Sequence, residues 1–68
     1  MSKNILVSGF GVITVRLALN EIGYFKTEMQ AAYKIGNLNR AILMMKAMQP
    51  FVDALHKAGY SIEQIFGE

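Results

Sequence analysis

Residues 39–59, NRAILMMKAMQPFVDALHKAG, set the terms on which the rest of the chain must fold. Read as a helix, Leu38, Ala41, Met45, Met48, Val52 and Leu55 recur at alternating spacings of three and four, which marks one helix face. Ile42, Leu43, Met44, Phe51 and Ala54 fall on the flanks of that face. Only Arg40, Lys46, Gln49, Asp53, His56 and Lys57 remain for water, a narrow stripe. A helix apolar around so much of its circumference is normally buried on more than one side.

The whole chain has 68 residues with which to do that burying. A domain of this size hides a modest share of its surface, so its stability is marginal. Cysteine is absent, so no disulfide braces the chain and no thiolate holds a metal. The simplest cover for the broad apolar helix is a second copy of the chain. The expectation is one small domain that forms a homodimer or small closed oligomer through Leu38, Ile42, Met45, Met48, Val52 and Leu55. The rival expectation is a monomer whose N-terminal third covers the second side.

Upstream, residues 4–8 (NILVS) read as a short strand and Ser8-Gly9-Phe10-Gly11 as a turn. Residues 12–17 (VITVRL) are rich in β-branched side chains that alternate between two faces, so a β-hairpin is expected. A competing helical repeat runs through Val12, Val15, Leu19, Ile22, Met29 and Tyr33, which leaves residues 12–22 open between strand and helix. From about Leu19 the period is helical, with Gly23 weakening a helix that runs straight through and Thr27 placed to cap a fresh start. Gly36-Asn37 ends that helix, and Asn37 or Asn39 caps the next. Pro50 lies inside the central helix, where it predicts a kink or a break. Gly59 ends it, and Ser61 caps a last turn through Phe66. The fold class is therefore α+β, a short N-terminal hairpin or strand followed by a helical hairpin with a Pro-kinked second helix; an all-α helical hairpin is the alternative.

Apolar residues make up 53% of the chain and charged residues 18%, the balance of a globular protein and not a disordered one. The net charge of +2 is unevenly placed. Residues 1–50 hold six basic against two acidic side chains, and residues 51–68 hold Lys57 against Asp53, Glu63 and Glu68. The basic residues are scattered singly, as on a solvated surface. Lys3 followed by an apolar run from Ile5 to Val15 imitates a signal peptide, but the run is too short to span a bilayer and Leu17-Ala18-Leu19 makes a poor cleavage site. A cytoplasmic protein with no membrane partner is expected.

The side chains that carry chemistry are sparse. Gly9-Phe10-Gly11 after an apolar strand imitates a dinucleotide-binding turn, yet the third glycine of that fingerprint falls at Thr14. His56 is the lone histidine, with Asp53 its one nearby carboxylate. Ser8 and Ser61 have no local base to activate them. Glu21 and Glu28 lie two helical turns apart, as on a solvated face. No enzymatic role, cofactor or metal is expected. Three methionines cluster on the central helix, where flexible side chains suit both core filling and surfaces that repack against partners. Met44 and Leu43 point away from the best seam, and with Tyr24 and Tyr33 they form the expected partner-binding surface.

The order strand, helix, glycine turn, helix across residues 12–48 resembles the ribbon-helix-helix repressors. That resemblance implies a dimer whose paired strands enter the DNA major groove. Thr14 and Arg16 would then face the bases, and Asn37, Asn39 and Arg40 would set a helix N-terminus on phosphate. Three functions are thus in view. The leading one is a non-enzymatic, self-associating module that binds another protein as adaptor, inhibitor or regulator, of a size common among viral and mobile-element accessory proteins. The second is a DNA-binding repressor. The third is a sponge that holds a small ligand in a pocket between subunits.

Overall fold

A computed structural model describes residues 3–67; Glu68, counted in the charge balance above, lies outside them. The architecture is α+β: an antiparallel two-stranded hairpin, then two long antiparallel helices and a short third helix. Strand β1 (Asn4–Val7) pairs with β2 (Gly11–Thr14) in the register Ile5↔Ile13 and Leu6↔Val12. The connecting turn is closed by Phe10 N–H donating to Val7 C=O at 2.9 Å. Gly9 sits third in this turn at φ 85°, a slot that side chains with a Cβ resist. Alternation along the strands sends Ile5 and Val7 into the core with Ile13 half-buried, while Leu6 and Val12 stand opposite each other on the open face.

Helix α1 (Val15–Lys34) begins directly after β2, with no loop. This corrects the expectation of a strand through Leu17: residues 15–17 are helical, and the strand ends at Thr14. The cause is local. Thr14 keeps an extended backbone, and its Oγ1 accepts a hydrogen bond from Leu17 N–H at 3.1 Å, which satisfies an otherwise orphaned helix donor. Val15, Ala18 and Ile22 then fall on one buried face. The helix passes through Gly23 without a restart. Thr27 is no cap; its hydroxyl donates back to Gly23 C=O at 2.9 Å, within the helix.

Gly36, at φ 75°, closes α1, and Asn37 Oδ1 accepts from Arg40 N–H to open α2 (Leu38–Lys57). Helix α2 is continuous across Pro50, so the two-helix alternative does not occur. Its last turn carries His56 and Lys57, whose positive or potentially positive side chains suit a helix C-terminus. Ser61 and Gln64 form a reciprocal capping box that starts α3 (Ile62–Phe66). Lys26 Nζ donates to Phe66 C=O at 3.2 Å and ties the end of α3 to α1.

The core joins the inner hairpin face (Ile5, Val7) to Val15, Ala18 and Ile22 of α1, Met48, Phe51 and Leu55 of α2, and Ile65 of α3. It therefore occupies one end of the helical pair. At the other end the two helices approach through small residues, with Ala32 and Ala41 buried, and among the described residues no third element lies over them. The outline is elongated, 39 × 26 × 16 Å. Among the described residues, no helix is long and apolar enough to cross a membrane.

Candidate functional site

The core ends where α2 is half spent, and this divides the six residues expected to form one oligomer seam. Met48 and Leu55 are buried inside the chain's own core, and Val52 is half-buried against it. Leu38, Ile42 and Met45 lie on successive turns of one flank and remain 59%, 43% and 46% exposed. Tyr33 and Ile35, where α1 ends, are exposed as well. The loop end of the helical pair is thus a protruding tip bearing large apolar side chains. The partner-binding candidates are dispersed: Leu43 is exposed on α2, Met44 is half-buried, Tyr33 belongs to the tip and Tyr24 stands halfway along α1.

A second apolar surface lies on the body of the molecule. Phe10, at the hairpin turn, is 61% exposed, and its ring packs 4.9 Å from that of Phe51, which is 3% exposed. Phe25 lies 6.2 Å from Phe51, and Tyr24 meets Phe25 edge-on at 5.5 Å. Between turn and helices opens a cleft of about 210 Å³ lined by Phe10, Ile13, Leu17, Glu21, Phe25 and Phe51. Three of the four phenylalanines of the chain thus line one cavity. Glu21 is its one charged lining residue. The sequence reading took Phe10 only as a turn residue and Glu21 only as part of a solvated face with Glu28, whereas both line this cleft. The available signal for the first was a lone aromatic ring held between two glycines in a turn, where it has little chain to hide beneath.

Of the residues assigned to DNA contact, Thr14 alone belongs to a strand. Arg16 lies in the first turn of α1 and not beside Thr14 on a strand, because the Thr14 cap has already turned the backbone. Strand β2 pairs with β1 of its own chain. Asn37 caps α2, and Arg40 makes a 2.8 Å ion pair with Glu28 that bridges the two helices. Asn39 is exposed. His56 is exposed too, and no three metal-ligating side chains come together among the described residues. Compared with protein-family models, curated proteins and solved structures, the chain matches none.

Proposed function

We propose that the protein is a small interaction module that pairs with a second copy of itself and docks onto another protein. The observation that carries this reading is that two separate apolar surfaces, the helical tip and the Phe10 cleft, lie at different places on the molecule. Scattered exposed apolar side chains are ordinary; contiguous ones mark surfaces that bind. At the tip, a two-helix layer has nothing to cover Leu38, Ile42 and Met45, and a second helical pair supplies that cover as in a four-helix bundle. The cleft, set apart on the body, is left for the second protein. Such a division suits an adaptor or inhibitor, which must assemble and engage its target at once.

Sedimentation equilibrium tests the assembly step. The wild-type chain is expected to associate as concentration rises, while Ile42→Glu remains a monomer with an unchanged circular dichroism spectrum. A wild-type monomer throughout the micromolar to millimolar range overturns the pairing. For the docking step, a protein retained by the wild-type chain from lysate is expected to be lost with Phe10→Ala and kept with the distant Lys57→Ala.

A further inference from the structure

We infer that the Phe10 cleft receives an arginine side chain presented by the docked protein. The inference rests on the docking role proposed for this cleft and names the chemistry it recognises. Size comes first. At about 210 Å³ the cleft is smaller than the roughly 300–1,000 Å³ typical of drug-sized ligand sites. It suits one inserted side chain.

Charge then selects the kind of side chain. Glu21 is half-buried in a wall otherwise made of Phe10, Ile13, Leu17, Phe25 and Phe51, and its carboxylate has no hydrogen bond or ion pair among the described residues. The residues three and four positions away on α1, where a helical ion-pair partner would stand, are Leu17, Ala18, Tyr24 and Phe25. Among the described residues no ion pair to this acid is formed. A purely apolar guest would strip water from the carboxylate and return nothing, which is unfavourable. A cationic guest returns an ion pair.

Ring chemistry chooses between cations. Phe10 and Phe25 each meet Phe51 at an interplanar angle near 40°, tilted and not flat-stacked, and all three rings line the cleft. Aromatic faces attract cations, and the planar, weakly hydrated guanidinium stacks on them while donating two hydrogen bonds to one carboxylate. A lysine ammonium is compact and strongly hydrated, and gives up more on entering. The aliphatic stem of arginine packs along Leu17 and Ile13, with its head at Glu21.

The test is a titration of the isotopically labelled protein, followed by NMR, with three capped Gly-X-Gly peptides in which X is arginine, citrulline or leucine. The arginine peptide is expected to shift resonances of Phe10, Leu17, Glu21 and Phe25. Citrulline, which keeps the shape and loses the charge, is expected to bind about tenfold more weakly, as is arginine to Glu21→Gln. Equal binding of leucine or citrulline at the cleft overturns the arginine inference and leaves the docking role standing. Absence of cleft shifts with all three peptides at millimolar concentration overturns both.

Discussion

The same substitution has opposite consequences at two glycines of this chain, because one is helical and the other is not. Gly23 lies in the interior of α1, exposed, and a Cβ added there meets nothing within 4 Å. Gly23→Ala therefore removes backbone entropy from the unfolded chain at no steric cost, and is expected to stabilise by about 0.5–1 kcal/mol. Gly36 is equally unobstructed, yet its φ of 75° is left-handed. Gly36→Ala is expected to destabilise by about 1–2 kcal/mol, the penalty of a Cβ in that region. Urea titration of the two variants checks the sign reversal. Both positions drew notice in the sequence as glycines. Gly36, followed by two asparagines around Leu38, read as a helix end, and so it is; Gly23 read as a weak point with Thr27 placed to restart the helix, yet α1 runs through it.

Among the elements, the join between β2 and α1 shows where local reasoning succeeds and where it fails. Val12, Ile13, Thr14 and Val15 all favour strands, and nothing in their propensities marks a boundary. The boundary is made by a single hydroxyl, the Oγ1 of Thr14 on Leu17 N–H, together with the burial of Val15 and Ala18 on the helical face. Thr14→Ala is expected to cost about 1 kcal/mol and Thr14→Ser much less, read as shifts in the urea midpoint at constant slope. The Ser61 cap was legible from its place after Gly59, whereas the start of α2 was narrowed only to Asn37 or Asn39, of which Asn37 is the cap. The seam on α2 was legible as a period but not as an interface. Periodicity reports which residues share a face and is silent on how far along that face the hairpin and α3 extend. In the folded chain they reach Met48 and leave Leu38, Ile42 and Met45 uncovered.

At the scale of the whole molecule, an off-centre core implies uneven stability. The amides of the inner hairpin, of α1 near Ile22 and of α2 near Leu55 are held by packing on several sides. Those of residues 30–34 and 38–44 depend on two helices meeting through alanines. Hydrogen exchange at low concentration is expected to be fastest in that second group, by local opening and not by global unfolding. If a second copy covers the tip, raising the protein concentration protects the second group selectively and leaves the first unchanged. Uniform protection at every concentration would contradict both the off-centre core and the pairing.

The short bend at residues 35–37 has a consequence of its own. It joins α1 to α2 at the extremity most remote from the tightly packed region, so covalent continuity there contributes little beyond keeping the two halves near each other. Each half carries its share of the interlocking apolar set: Ile5, Val7, Val15, Ala18 and Ile22 before the bend, and Met48, Phe51, Leu55 and Ile65 after it. A nick at Gly36 would accordingly divide that set between two complementary fragments, and cargo spliced into the same bend would ride at the far extremity, away from the body that carries Phe10.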